Sequence, residues 1–503
     1  MAEYLRALLV LMVIGTVYFY AARGALLPIL GDETFKRWRA LWMVATIVLF
    51  LSHGILLYFL ILGVILLAYR RREAHLMGIY FVLLFVAPPA PAEISGLGII
   101  DHLWVVNHYR LLGVALLLPA ALSLMQRSTT IRLGSSPVDW MVMGYLVLMS
   151  LLAFRDGNVT DGLRSVLSRW VDIFLPYYVA SRSIRSEEGL KHAMTGFLMA
   201  AMILSIVAVF EVLRSWKLYS AVLGAIGVNQ GIFGGYLMRS GLLRPNASVG
   251  NSIVLGYVLV VALGFFFYLK EFLARPLHRF LGASLLIAGI TASLSRGPWV
   301  GAVLLVVVYA VTGPKPIKHL FALGFWVVAS FLVLSQLPSG QLLIDMLPIF
   351  GTAEQGNVEY RANLLTSALP VIERHLLFGS NNYLEAPELQ VMMQGEGIID
   401  LVNTYVGVAL YSGMTGLLLF LGAFLCALHQ VRKTMRTARK QGSSVALLGR
   451  ALYATVLAIM FIIYTVSSIS AVPVVYWSML GMCVAYAGLV SEQARTARET
   501  PVS

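Results

Sequence analysis

The chain has 503 residues, 59% of them hydrophobic and only 12% charged, with a mean hydropathy of +0.82. A soluble domain carries about 25% charged residues to cover its surface, so a water-facing exterior is excluded and the outside of this protein must face lipid. The formal net charge of +13, from 37 Lys+Arg against 24 Asp+Glu, is therefore a matter of membrane topology before it is a matter of nucleic acid, which is not an expected partner.

The first apolar run, 5–30, is too long for a signal-peptide core and lacks a small-residue cleavage site, so it reads as a retained helix. Further apolar spans follow at 40–69, 75–89, 109–125, 138–154, 168–182, 191–213, 250–269, 280–295, 298–313, 319–336, 401–428, 447–468 and 472–490. Together they predict an all-α polytopic membrane protein with about fourteen transmembrane helices (range about 12–15). The 40–69 stretch contains Ser52-His53-Gly54 and can divide into two helices, and 168–182, interrupted by Pro176, is short enough to be re-entrant. The chain divides into N-terminal transmembrane helices over 1–336, a large loop over 337–400, C-terminal transmembrane helices over 401–490, and a tail over 491–503. Cys426 and Cys483 lie inside apolar stretches with no metal-ligand spacing, and no metal or cofactor is expected.

Basic residues fix the orientation. Arg70-Arg71-Arg72, Arg182/Arg185/Lys191, Lys270/Arg275/Arg279, Lys315/Lys318, the Arg432–Lys440 cluster and the tail residues Arg495 and Arg498 fall in alternate loops, which places them and the C-terminus in the cytoplasm. Loops 90–108, 155–167, 214–249 and 337–400 then lie outside. The last of these inverts the chain's charge, with Asp345, Glu354, Glu359, Glu373, Glu385, Glu388, Glu396 and Asp400 against Arg361 and Arg374. Apolar residues at helical spacing (Leu364, Leu365, Ala368, Leu369, Ile372, Leu376) predict a helix over 359–377 on the outer face.

Arginines on the outer side run against the positive-inside rule. Arg155, Arg164 and Arg169 are assigned to headgroups or loop carboxylates. Arg296 stands at a helix break before Gly297-Pro298, Arg361 opens the loop helix, and Arg239 and Arg244 flank Ser240-Gly-Leu-Leu243. A guanidinium offers a planar donor fork matched to phosphate oxygens, and the anion at this depth is a lipid phosphate or pyrophosphate.

Ser295-Arg296-Gly297, Glu359-Tyr-Arg361, Ile372-Glu-Arg-His-Leu-Leu-Phe-Gly379, Val402-Asn-Thr-Tyr-Val406 and Tyr411-Ser-Gly-Met-Thr-Gly-Leu-Leu418, with Arg239-Ser-Gly-Leu-Leu-Arg-Pro-Asn246 upstream, resemble the O-antigen ligase/polymerase superfamily over about 235–430. The resemblance implies a bacterial inner-membrane enzyme of GT-C type. Such an enzyme transfers a polyprenyl-pyrophosphate-linked glycan to a glycan acceptor in the periplasm, without metal and with inversion. It carries over onto Arg296 and Arg361 as the pair that holds the pyrophosphate, and Arg239 and Arg244 join them as substrate-binding candidates. A chain-length regulator is a further partner such an enzyme can use.

The ligases carry a His immediately before the Asn-x-Tyr/Leu stretch, and here that position is Val402. This departure shifts the expectation from ligase towards polymerase of repeat units. Asp400 and Glu396 are then candidate bases by proximity in sequence. His375, Glu359, Tyr360, Asn403 and Tyr405 are candidate substrate contacts, and Trp299, Tyr383 and Tyr411 are further aromatics able to stack on sugars. A lipid-linked glycan flippase is the rival from another class. It predicts charges through the whole membrane depth, whereas these cluster at one face.

Overall fold

A computed structural model of the chain describes residues 2–70, 73–96, 101–128, 130–155, 158–228, 235–336, 355–394, 397–441 and 443–499. Helices run α1 Glu3–Leu30, α2 Asp32–Leu51, α3 Ile55–Arg70 and α4 Leu76–Leu84. A hairpin, β1 Ala92–Ser95 and β2 His102–Val106, precedes α5 His108–Gln126, α6 Pro137–Leu152, α7 over 159–183 and α8 Glu187–Arg214. Then come α9 Ser220–Ala225, the hairpin β3 Met238–Arg239 and β4 Leu242–Leu243, α10 Ser252–Leu269, α11 Pro276–Ala292, α12 Arg296–Val311 and α13 Pro316–Gln336. The loop region supplies α14 Gln355–Arg374 and α15 Pro387–Gln390, and the chain ends in α16 Thr404–Gln441, α17 Ser443–Tyr464 and α18 Val472–Glu499. Among the described residues eight helices are long and apolar enough to cross a membrane, with four shorter apolar ones beside them. The protein is an all-α polytopic membrane protein.

Local chemistry explains where the elements differ from the sequence expectations. His53, at a positive φ of 53°, divides the 40–69 stretch into α2 and α3. The 75–89 span is helical only to Leu84, because Pro88, Pro89 and Pro91 cannot continue the ladder. The 168–182 stretch is not broken at Pro176. It belongs to the continuous α7, in which a π-turn over Trp170–Phe174 directly precedes Pro176. The same arrangement recurs in α5, where a π-turn over Gly113–Leu117 precedes Pro119. A wider turn relieves the contact of the proline ring with the preceding carbonyls, so both helices pass through.

Successive helices alternate in direction, and the loops gather at two ends. At one end the Glu3 carboxylate accepts a hydrogen bond from Trp216 Nε1 at 3.0 Å, and Trp104 Nε1 donates to Ser168 at 2.9 Å. At the other, basic, end Arg182 pairs with Asp139 at 2.7 Å, both side chains fully buried, and Tyr268 donates to Glu187 at 2.7 Å. α10 and α18 are apolar and buried on nearly every side, and form the centre of the bundle. α13 is exposed all round, with Phe325 and Trp326 outward, as a lipid-facing helix requires.

The expected loop helix is α14, and its mooring matters for the site. Its buried stripe, Leu364, Ala368 and Val371, packs on Leu389, Met392, Val406 and Leu410. At Gly413 (φ 66°, ψ −170°) α16 kinks, and the freed amides of Met414 and Thr415 donate to the carbonyls of Leu376 (2.7 Å) and Leu377 (3.3 Å). Ser380 N–H in turn donates to Leu410 O at 2.9 Å. Arg155 spans the joint, donating to Phe378 O (2.8 Å), Gly379 O (3.0 Å) and Tyr411 O (2.7 Å). The Ile372–Gly379 and Tyr411–Leu418 motifs are thus the two halves of a backbone clasp. A Cβ at Gly413 would stand 2.4 Å from Leu377 O, and one at Gly379 2.5 Å from Leu410 O. Gly413→Ala is expected to loosen the clasp at a cost of about 1–3 kcal/mol. Limited proteolysis in detergent should then cut between α14 and α16 at least several-fold faster than in the parent protein, with the transmembrane fragments unchanged.

Candidate active site

The residues singled out by sequence come from three separated stretches, and each is delivered by a local device. Ser240 (φ 48°) and Gly241 (φ 80°) form the two-residue turn of the β3–β4 hairpin, a geometry that requires positive φ at both positions. Arg239 pairs with Leu242 and the Arg244 amide donates to Leu237 O at 2.9 Å, so this register puts Arg239 and Arg244 on one face of the ribbon. The ends of this loop are tied by Glu211, fully buried near the end of α8. Its carboxylate accepts from the amides of Leu218, Asn246 and Ala247, each at 3.0 Å.

Arg296 is the first residue of α12. The chain reaches it through Leu294 at φ 49°, whose carbonyl accepts from the buried Arg239 guanidinium. The helix end adds its own positive field to that of the side chain. Gly297 is required here, since a Cβ would meet Thr465 Oγ1 at 2.4 Å. Arg361 projects from the first part of α14 and donates to Thr465 O at 3.4 Å, at the end of α17.

These devices converge. Arg239, Arg244, Arg296 and Arg361 line one cavity of about 190 Å³, together with Tyr360, Asp400, Val402, Gln394 and Thr465. Burial, reinforced by the positive fields of Arg239 and Arg296 and opposed by the Asp400 carboxylate, pushes the Arg361 guanidinium below its ordinary value. It remains charged throughout the physiological range. The arrangement is a cation-lined pocket with one carboxylate at its edge, suited to a compact anion of phosphate type. The four guanidiniums carry donors only and offer no metal ligand. Asp400 Oδ1 accepts from Ser467 Oγ at 2.9 Å, and the Tyr360 hydroxyl donates to Asp400 O at 3.1 Å.

The remaining candidates fall elsewhere. Glu359 lines a neighbouring groove rather than this cavity. Asn403 caps α16, accepting from the amides of Tyr405 (3.0 Å) and Val406 (3.3 Å), and Tyr405 donates to Met460 O at 2.8 Å against α17. His375 is exposed beyond the far end of α14, about 21 Å along the helix axis from Arg361 at 1.5 Å per residue. Glu396, like Asp345, Glu354, Arg71 and Arg72, lies outside the described residues. Trp299 is committed to Ile290 O (2.8 Å), and Tyr411 sits between Arg155 and Arg169, each 5.0 Å from its ring centroid. Arg164 pairs with Asp161, as assigned, while Arg155 and Arg169 serve backbone carbonyls. Sequence reasoning passed over Thr465, Gln394 and Glu211 as parts of the site. Only Glu211 carried a signal, as a carboxylate inside an apolar span.

Residues 281–421 match the family model described as O-antigen ligase, a segment that contains Arg296, Arg361 and Asp400 but not the Arg239–Arg244 hairpin. Among curated proteins, none matches the chain.

Glu211→Gln keeps the shape but turns one acceptor into a donor facing backbone N–H groups, a conflict worth about 1–3 kcal/mol. Hydrogen exchange over 236–250 should accelerate roughly 5- to 150-fold while exchange in α10 stays unchanged.

Proposed function

With an O-antigen ligase-type domain over residues 281–421 as premise, we propose that this glycosyl-transfer enzyme polymerises polyprenyl-pyrophosphate-linked oligosaccharide repeats at the outer face of the bacterial inner membrane. The observation that carries the reading is the convergence of four arginines on one cavity, at the end of the bundle opposite the basic loops. In this reading the basic loops and the C-terminus are cytoplasmic and the cavity opens to the periplasm. The chain then divides into transmembrane helices before and after the 337–400 loop, in the manner of a GT-C enzyme.

The chemistry is a single displacement. An acceptor hydroxyl oxygen forms a bond to the anomeric carbon as the bond from that carbon to the pyrophosphate oxygen breaks. The electron pair leaves with the diphosphate, the hydroxyl proton passes to the Asp400 carboxylate, and one displacement inverts the anomeric centre. Charge on the leaving group grows along this path, so fixed guanidiniums aimed at it stabilise the transition state more than the ground state. Arg296 and Arg361 hold the diphosphate, Arg239 and Arg244 complete the cradle, and together they supply the positive charge that a divalent metal provides in other glycosyltransferases. Val402, where ligases carry a His, lines the same cavity and favours the polymerase reading over transfer to lipid A-core or protein.

Arg296→Ala and Arg361→Ala are each expected to lower the rate of chain growth about 10²–10³-fold in proteoliposomes given a polyprenyl-pyrophosphate oligosaccharide, with normal membrane insertion. Arg361→Lys should recover little, because an ammonium cannot reproduce the two-pronged contact. Undiminished glycan growth in the alanine variants would overturn the assignment. With no carrier-free glycan added, product that leaves the carrier for another molecule, rather than lengthening on it, would mark a ligase.

A further inference from the structure

The arginine cavity has a neighbour of different chemistry. Tyr360 and Gln394 form a shared wall, and beyond it a groove of about 490 Å³ runs along α14. Glu359, Tyr360, Asn363, Thr366 and Ser367 line it at helical positions i, i+1, i+4, i+7 and i+8, which is one continuous face of the helix. That face is distinct from the apolar stripe of Leu364, Ala368 and Val371 that moors α14. The opposite bank is the turn after α15, through Gln394. Among the described residues, no side-chain hydrogen bond engages Asn363 or Ser367. Thr366 back-bonds to Ala362 O at 3.1 Å and keeps its lone pairs. The Tyr360 hydroxyl donates to Asp400 O (3.1 Å), lies 3.4 Å from Met392 O and is hydrogen-bonded to the Gln394 side chain, so what it offers a ligand is its ring.

Resting on the transferase reading above, the geometry points to this groove as the seat of the acceptor glycan. Amide, hydroxyl and carboxylate groups beside an aromatic ring match the donor–acceptor pattern of sugar hydroxyls and the apolar face of a pyranose ring. The volume lies within the 300–1,000 Å³ typical of small-molecule clefts, whereas the arginine cavity fits only a compact group. Charge divides the two sites. Glu359 makes the groove unfavourable for a diphosphate, which the four guanidiniums attract. Position assigns the acceptor rather than the donor glycan, because Tyr360 joins the groove to Asp400, the group that must meet the attacking hydroxyl.

The test uses the full-length protein in proteoliposomes. The acceptor is an oligosaccharide released from the producing cell's own surface glycan and free of carrier. Asn363→Ala/Ser367→Ala is expected to raise the acceptor KM roughly tenfold, the loss expected from about two neutral hydrogen bonds, with kcat and the donor KM unchanged. Direct calorimetric binding of the same oligosaccharide should weaken by a similar factor in this variant and remain normal in Arg296→Ala. An increase in donor KM alone, or unaltered acceptor binding in the double variant, overturns the groove assignment. Turnover by Arg296→Ala at the parent rate would sink the transferase reading instead, so the two failures are separable. Asn363→Gln, which keeps the amide, should restore part of the acceptor affinity and distinguishes lost contacts from misfolding.

Discussion

Four guanidiniums around one small cavity repel one another, and the fold must hold them there against that repulsion. Within the cavity, the Asp400 carboxylate and the Thr465 carbonyl offset part of that repulsion at Arg361. Arg239 and Arg244 are fixed by a hairpin whose loop is tied back to the bundle through the buried Glu211 carboxylate. Arg296 is fixed by the helix start behind Leu294, and Arg361 by a helix docked through the Gly379–Gly413 clasp. Each arginine therefore depends on backbone hydrogen bonds made at a distance from its own charge. Low-dielectric surroundings make the repulsion strong, and they make the same set strongly attractive to a multiply charged anion.

The division of labour between arginines follows from what their donors already meet. Arg155 and Arg169 spend theirs on carbonyls and on the face of Tyr411, which secures the joint between α14 and α16. Arg110 binds Asp172 through three donor contacts of 2.9–3.2 Å, and Arg182 is matched with Asp139 inside the bundle. Arg239, Arg244, Arg296 and Arg361 differ in sharing one cavity. Location at one end of the bundle alone does not separate Arg110, Arg155 and Arg169 from these four. The separation lies in which polar groups the fold brings within reach.

Hydropathy, loop charge and helical spacing made the class of fold, the alternation of loops and the loop helix legible. The candidate site was partly legible. Arg296 and Arg361 stood out because a charge beside a helix break, or inside an acidic loop, has few ordinary explanations. Asn403 and Tyr405 looked equally suitable, yet one caps a helix and the other bonds a neighbouring helix's carbonyl. A cap and a ligand contact draw on the same residue types, so composition cannot tell them apart. His375 was adjacent in motif but sits far along a rigid helix, where 1.5 Å per residue removes it from the cavity.

Sequence by itself determined what the chain is made to live in, because burial of apolar surface in lipid depends on how many residues are apolar and not on which ones touch. It also determined where the unusual charges are. Tertiary structure alone decided that charges some 60 and 120 residues apart share one cavity, that Glu211 anchors the loop carrying two of them, and that glycines 34 residues apart join backbone to backbone. Such pairings follow from close approach in space, which one chain's local pattern of polar and apolar residues does not record.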